Sequence, residues 1–166
     1  MHAFGVTALF ISLICNIANA GVISGRVVGV ADGDTVTLLE SDHTQHKIRI
    51  SGIDAPEKKQ PFGERSKANM SALAFGKDAE AECNKKDRYK RDVCIVRVSG
   101  RDVGLEQIKA GLAWWYREYS REQTPQERRD YEQAETAAKA SGLALWSDPM
   151  PQPPWEWRHS KRPKRE

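Results

Sequence analysis

Residues 25–30 have the sequence Gly-Arg-Val-Val-Gly-Val, residues 35–39 have Thr-Val-Thr-Leu-Leu, and residues 46–50 have His-Lys-Ile-Arg-Ile. Each run alternates apolar with polar side chains or consists of β-forming residues. The turn-forming sequences Asp32-Gly33-Asp34 and Ser41-Asp42-His43 separate the three runs. This pattern predicts three short strands joined by tight turns.

The rest of the chain predicts one more hairpin and three helices. The hairpin pairs Ala79–Cys83 with Asp92–Val98 across a charged connection. The first helix follows Pro61, carries apolar residues at i, i+3 and i+4, and stops near Gly76. A short helix ends near Gly111. The last helix begins with a Thr124-Pro125-Gln126-Glu127 capping box and ends at Gly142.

These elements predict an α+β fold that is mainly a β barrel. Five short strands with about three helices suit a five-stranded barrel of the OB type, a fold that often binds nucleic acid. The chain has 166 residues, of which 39% are hydrophobic and 30% charged, as in an ordinary globular domain. The net charge is only +3, and residues 151–166 hold five basic against two acidic residues. Any general affinity for a phosphate backbone is therefore concentrated at the C-terminus.

The first twenty residues form a predicted signal peptide. An uncharged apolar run at 4–15 precedes Ala18-Asn19-Ala20, which fits an A-x-A cleavage site. The alternative is an N-terminal anchor or a buried helix, although the run is shorter than the roughly 20 residues of a spanning helix. We expect an exported protein, periplasmic or secreted, with no stable membrane association after cleavage.

Export limits which cysteines the mature protein contains. Cleavage of the signal peptide would leave only Cys83 and Cys94 in the chain. Two cysteines in an exported protein suggest one disulfide. The alternative is a pair of small buried hydrophobic residues.

We divide the chain into a signal peptide at 1–20, a folded domain at 21–148 and a tail at 149–166. The tail is proline-rich and then basic, and we expect it to be flexible. Trp155 and Trp157 in the tail could stack on bases beside phosphate-binding cations, or belong to a disordered segment.

Charged residues cluster at the predicted strand ends. They lie in Asp32-Gly33-Asp34-Thr35, at Arg49, in Asp54-Ala55-Pro56-Glu57 and in Asp87-Arg88-Tyr89-Lys90-Arg91. Each has an ordinary explanation as a turn, an edge residue or a solvated hairpin tip. Together they supply what phosphodiester hydrolysis needs: carboxylates for a metal, a base for water and fixed cations for the transition state. Arginine suits the last task because its planar fork binds phosphate oxygens in pairs.

In this order and spacing the residues resemble the staphylococcal nuclease (thermonuclease) family from about Val22 to Ser147. The resemblance also rests on Gly-Leu-Ala-Trp-Trp-Tyr at 111–116 and Gly-Leu-Ala-Leu-Trp-Ser at 142–147. It implies an OB-fold barrel with three helices and a calcium-dependent, sugar-nonspecific endonuclease. It further implies that DNA and RNA are cleaved between phosphorus and the 5′ oxygen, leaving 3′-phosphate ends.

The resemblance also implies a role for each matching residue. Asp34, Asp54 and the backbone carbonyl of Ala55 would bind Ca²⁺, and Glu57 would position or deprotonate the attacking water. Arg49 and Arg91 would hold the scissile phosphate, and Tyr89 would contact the nucleotide. The sequence departs from the family at Ala55, where threonine is usual, and at Lys90, where glycine is usual. The turn that aims Arg91 is therefore expected to differ locally.

Two other classes of protein remain as alternatives to a monomeric nuclease. One is a non-catalytic OB-fold protein that binds nucleic acid, and the other is an exported structural or adhesion module. Neither has an evident use for three acids and two arginines together.

Overall fold

Five strands close into a barrel in the computed structural model, which describes residues 21–161. The strands of the protein are β1 (Gly21–Val30), β2 (Thr35–Leu39), β3 (Gln45–Ile50), β4 (Ile53–Asp54), β5 (Asp78–Lys86), β6 (Asp92–Val98), β7 (Arg101–Asp102) and β8 (Trp114–Trp115). The barrel order is β3-β2-β1-β5-β6, and every neighbouring pair in it is antiparallel. A parallel pairing of β3 with β6 closes it. The predicted α+β architecture with a five-stranded OB-type barrel is confirmed.

Side-chain hydrogen bonds shape the first two turns of the barrel. Asp32 accepts a hydrogen bond from the backbone N–H of Asp34 at 3.1 Å, and Asp42 accepts one from that of Thr44 at 2.9 Å. Such contacts two residues apart stabilise tight turns. His43 takes φ 68°, a conformation that a short turn requires.

The four α-helices among residues 21–161 are α1 (Gly63–Ala74), α2 (Val103–Lys109), α3 (Pro125–Ala140) and α4 (Pro154–Ser160). The capping box of α3 is formed as predicted: Thr124 Oγ1 accepts from the Glu127 N–H, and Glu127 accepts from the Thr124 N–H. At α2, Asp102 caps the first turn and also accepts a hydrogen bond from the Tyr131 hydroxyl at 2.8 Å. This contact joins α2 to α3. None of the described helices has the length and apolar composition to cross a membrane.

The barrel interior is apolar and continuous with the inner faces of the helices. Its fully buried side chains include Val27, Val36, Leu38, Ile48, Ile50, Met70, Val96, Ile108 and Tyr131. Alternation along the strands places the strand residues of this set on one face, and helices contribute Met70, Ile108 and Tyr131. The ends of the strands lie outside this apolar core and can carry polar residues.

Cys83 and Cys94 are direct cross-strand partners on β5 and β6, and a disulfide joins them. Eleven residues separate them in sequence, so the bond encloses the tip of the β5–β6 hairpin. Cys94 is fully buried. The hairpin that carries Arg91 is therefore covalently pinned at its base.

The structure corrects the expected flexible tail for residues 149–161. Residues 154–160 form α4, which begins with Pro154 in its first turn. Pro154 is buried, and the ring of Trp155 stacks on that of Tyr116 with centroids 5.4 Å apart. Aromatic contacts thus hold a segment that composition alone predicts to be loose. Residues 162–166 and the predicted signal peptide at 1–20 lie outside the described residues.

Candidate active site

The candidate residues meet in one cleft of about 890 Å³. Its walls are the turn after β1, the segment from β3 to β4, the tip of the β5–β6 hairpin, and α4. The lining includes every residue to which the sequence analysis gave a role: Asp34, Arg49, Asp54, Ala55, Glu57, Tyr89 and Arg91. The fold brings these side chains together, whereas their chemical roles stay predictions.

Asp34 and Asp54 are buried carboxylates that share one guanidinium. Asp34 is 7% exposed and Asp54 is 1% exposed. Arg49 Nη1 lies 3.3 Å from Asp34 Oδ2, and Arg49 Nη2 donates to Asp54 Oδ1 at 3.2 Å. The same guanidinium donates to the backbone carbonyls of Ile50 and Ile53, at 3.2 and 3.1 Å. Four acceptors therefore fix Arg49 at the floor of the cleft.

Burial and neighbouring charges shift the pKa values of the acids on this floor. Burial and the charge of Asp34 raise the pKa of Asp54, although hydrogen bonds from Arg158 act to lower it. Burial and the same neighbour raise the pKa of Asp32, which also lines the cleft, to about 6. Burial alone would lower the pKa of Arg49, but the charges of Asp34 and Asp54 raise it. A further cation at this place would be favoured.

The donor set fits a hard divalent cation. Carboxylate and carbonyl oxygens are the ligands that Ca²⁺ and Mg²⁺ prefer. Two buried carboxylates lie together here, and the following residue, Ala55, also lines the cleft. Within residues 21–161, no three His, Cys, Asp or Glu side chains form a group able to hold a metal ion. The side chains would therefore contribute only the two carboxylates, and other ligands must complete the shell.

Asp87 orients the Arg91 side chain at the tip of the β5–β6 hairpin. Asp87 Oδ1 accepts from the backbone N–H groups of Tyr89 and Arg91, at 2.8 and 2.9 Å. Asp87 Oδ2 accepts from Arg91 Nε at 2.7 Å. Although burial acts to raise it, hydrogen bonds from Arg91 and Tyr89 lower the pKa of Asp87. Arg91 Nη1 then donates to Thr35 Oγ1 at 3.2 Å, which places the guanidinium beside the acid pair.

Lys90 occupies the left-handed backbone region, with φ 64°. Glycine adopts this region without steric cost, whereas a residue with a Cβ is strained there. The Lys90 N–H donates to the Asp87 carbonyl at 2.9 Å, and the Asp87 N–H donates to the Arg91 carbonyl at 2.9 Å. The lysine thus takes the conformation that a glycine would favour.

Glu57 and Tyr89 are the accessible members of the set. The Glu57 side chain is 40% exposed, and its carboxylate accepts from Arg158 Nη1 at 2.9 Å. Its backbone N–H donates to Gln60 Oε1 at 3.1 Å, which fixes the loop after β4. Tyr89 is 65% exposed. A substrate can reach both side chains without displacing the core.

Sequence reasoning missed three residues of this site. The sequence predicts a flexible tail around Arg158, gives no signal for Gln60, and presents Asp32 only as part of a turn motif. The tail did carry a usable signal, because Pro153-Pro154 before Trp155 can start a helix with an aromatic side chain to pack. Nothing in the local sequence connects Arg158 with Asp54, since 104 residues separate them.

Comparison with known proteins matches this chain to a family. A sequence model described as "Staphylococcal nuclease homologue" matches residues 47–148, which include most of β3, strands β4 to β8 and helices α1 to α3. The chain belongs to the staphylococcal nuclease family. It is a nuclease, a phosphodiester hydrolase that acts as an endonuclease on nucleic acid.

Bacterial relatives resemble the nuclease over most of its length. A protein from Haemophilus influenzae named "Uncharacterized endonuclease" is 39% identical over 137 residues, covering 82% of this chain and 74% of its own. A "Micrococcal nuclease" from Shigella flexneri is 33% identical over 171 residues, covering 98% of this chain and 95% of its own. An "Uncharacterized endonuclease" from Escherichia coli O157:H7 is 38% identical over 140 residues, covering 84% and 87%. The resemblance to nucleases thus extends over nearly the whole folded domain.

Proposed function

We propose that the protein is an exported, calcium-dependent endonuclease that cleaves DNA and RNA without regard to the sugar. Cleavage between phosphorus and the 5′ oxygen would leave 3′-phosphate ends. The observation that carries the proposal is the joining of Asp34, Asp54, Glu57, Arg49 and Arg91 in one cleft. A protein that only bound nucleic acid would have no use for buried acids beside its cations.

Asp34 and Asp54, with the carbonyl of Ala55, would hold Ca²⁺. A divalent cation bound there would supply positive charge beside the phosphate that undergoes attack. Their burial supports this role, since two carboxylates held together in a poorly solvated site favour a compensating cation. Asp34 is further oriented by Thr35, whose hydroxyl donates to Asp34 Oδ1 at 3.1 Å.

Glu57 would accept the proton of the attacking water. Its partly exposed carboxylate lies beside Asp54, and both accept from the same nitrogen of Arg158. A positioned base typically contributes about 10²- to 10⁴-fold in rate. The backbone contact with Gln60 keeps the base at a defined place in the cleft wall.

Arg49 and Arg91 would bind the scissile phosphate from two sides. Arg49 comes from inside strand β3 and is held by four acceptors, whereas Arg91 comes from the hairpin tip and is held by Asp87. Pre-positioned guanidinium groups stabilise developing charge without reorganising during the reaction. Tyr89, exposed beside Arg91, would contact the nucleotide.

Export is supported by the disulfide, because disulfides persist in oxidising compartments. The sequence of residues 1–20 is the proposed signal. We further propose that the protein acts as a monomer without stable membrane association. The test is fractionation of producing cells, with N-terminal sequencing of the purified protein. A mature N-terminus at Gly21 is expected, and a cell-associated protein that keeps Met1 would contradict export.

The decisive experiment is cleavage of single-stranded DNA, duplex DNA and RNA in Ca²⁺, in Mg²⁺ and in chelator. We expect calcium-dependent cleavage that Glu57→Gln lowers at least about 100-fold. The matched control is Glu132→Gln, the same chemical change at an exposed position of α3 outside the cleft. The products should resist polymerase extension until a phosphatase removes the 3′-phosphate. Binding without cleavage in any metal would contradict the proposal.

A further inference from the structure

Arg158 carries a third guanidinium into the cleft from α4. Its Nη2 donates to Asp54 Oδ2 at 2.8 Å, and its Nη1 lies 3.2 Å from Asp54 Oδ1. The same Nη1 donates to Glu57 Oε1 at 2.9 Å. One side chain thus engages both oxygens of a proposed metal ligand and one oxygen of the proposed base.

The position of Arg158 is built into the fold by the segment around it. Buried Gln60 donates through Nε2 to the Gln152 carbonyl at 2.6 Å, just before α4. Trp155 stacks on Tyr116 at 5.4 Å and meets Trp114 edge-on at 6.4 Å. These contacts hold α4 against the cleft. The position of the Arg158 side chain at the cleft is therefore defined by the fold.

Arg158 differs from Arg49 in its freedom to move. The Arg49 side chain is 16% exposed and is bound by two backbone carbonyls as well as by both acids. The Arg158 side chain is 40% exposed, and among residues 21–161 its hydrogen-bond partners are only the two carboxylates. Arg158 can therefore turn into solvent without leaving a buried donor unpaired, whereas Arg49 cannot.

We propose that Arg158 competes with the divalent cation for Asp54, and so determines how tightly the site binds metal. The inference rests on the proposed role of Asp54 as a metal ligand. A bidentate guanidinium on a carboxylate is a strong, charge-assisted contact, and it occupies the oxygens that a hard cation needs. A cation that binds Asp54 must displace this contact and overcome the repulsion of a neighbouring positive charge.

The test is calorimetric titration of the purified, chelator-treated protein with Ca²⁺, which does not depend on cleavage. We expect Arg158→Ala and Arg158→Gln to bind Ca²⁺ about tenfold more tightly than the wild type, since a charge-assisted contact no longer opposes binding. Gln keeps more of the aliphatic stem than Ala and a polar end without the charge, which protects the result against loss of α4. The control Arg129→Ala removes one positive charge from exposed α3, away from the cleft, and should change the affinity less than about twofold.

Asp54→Asn separates failure of this inference from failure of the proposed function. If Asp54→Asn abolishes Ca²⁺ binding and both Arg158 variants bind more tightly, competition is supported. If Asp54→Asn abolishes binding but the Arg158 variants bind equally or more weakly, competition is wrong and the metal site stands. If Asp54→Asn leaves binding unchanged, the proposed metal site is wrong and the inference falls with it.

Discussion

Asp34 accepts a hydrogen bond from the backbone N–H of Ala55 at 2.9 Å, although 21 residues separate them in sequence. The contact joins the turn after β1 to the end of β4, so one carboxylate both shapes the backbone and faces the cleft. The two proposed metal-binding segments are therefore held in register before any ligand arrives. Arg49 completes this arrangement from β3 by contacting both acids.

The two proposed phosphate-binding arginines, Arg49 and Arg91, should have similar effects on turnover but different effects on stability. Each alanine variant should lower turnover at least about 100-fold. Arg49→Ala should also cost about 3 kcal/mol of unfolding free energy, because it leaves two buried carboxylates without their shared cation. Arg91→Ala should cost about 1 kcal/mol or less, since its ion pair with Asp87 is partly solvated. Urea denaturation measures the difference, and equal losses of stability would contradict this account of Arg49.

Removal of Asp87 should weaken catalysis through Arg91. Asp87→Ala removes the acceptor for Arg91 Nε and for two backbone N–H groups, so we expect kcat to fall about tenfold. Asp87→Asn keeps an acceptor and should lose less. The control Asp130→Ala removes a half-buried acid from α3, outside the cleft, and should leave kcat unchanged. If Asp87→Ala cleaves at the wild-type rate, Arg91 does not depend on this contact.

Local sequence was sufficient for the barrel hairpins because each depends on neighbouring residues. Alternation placed β1, β2, β3 and β6, and the helix signals at Thr124, Gly76 and Gly111 lie where α3 begins and where α1 and α2 end. Strand β5 runs three residues further than predicted, to Lys86. The parallel pairing of β3 with β6 has no local signal, because its register is set only when the barrel closes.

The site was predictable only where its residues belong to compact motifs. Asp34, Asp54, Glu57 and Arg91 lie in short motifs whose residue types suggest phosphate chemistry. Arg158 lies in a proline-rich segment whose composition resembles a flexible tail. Packing of Trp155 against aromatic residues that are distant in sequence orders that segment. The composition of the segment does not reveal such contacts.

The disulfide should contribute about 3 kcal/mol of stability, as expected for a cross-link that closes a short loop in the unfolded chain. We expect the Cys83→Ala/Cys94→Ala double variant, and the wild type in reductant, to unfold at lower urea concentration. Reductant should have no effect on the double variant, which serves as its own control. Intact-mass analysis after thiol alkylation tests the bond directly. Modification of both cysteines in unreduced, urea-unfolded protein would show that the bond is absent.

Glu135 should make stability depend on pH in the acid range. It is 1% exposed and accepts hydrogen bonds from the Trp115 N–H, Arg117 and Lys139. Although burial acts to raise it, the hydrogen bonds from Lys139 and Arg117 lower the pKa of Glu135. Its ionised form therefore stabilises the fold above the unfolded pKa of about 4.3, and that contribution is lost as pH falls through the lower folded value.

Glu135→Gln should cost about 2 kcal/mol of unfolding free energy at pH 7, and this gap from the wild type should narrow below about pH 4. Urea denaturation from pH 3 to 8 measures this, with exposed Glu132→Gln on the same helix as control. A gap that stays constant over that range would show that Glu135 acts by packing and not by charge.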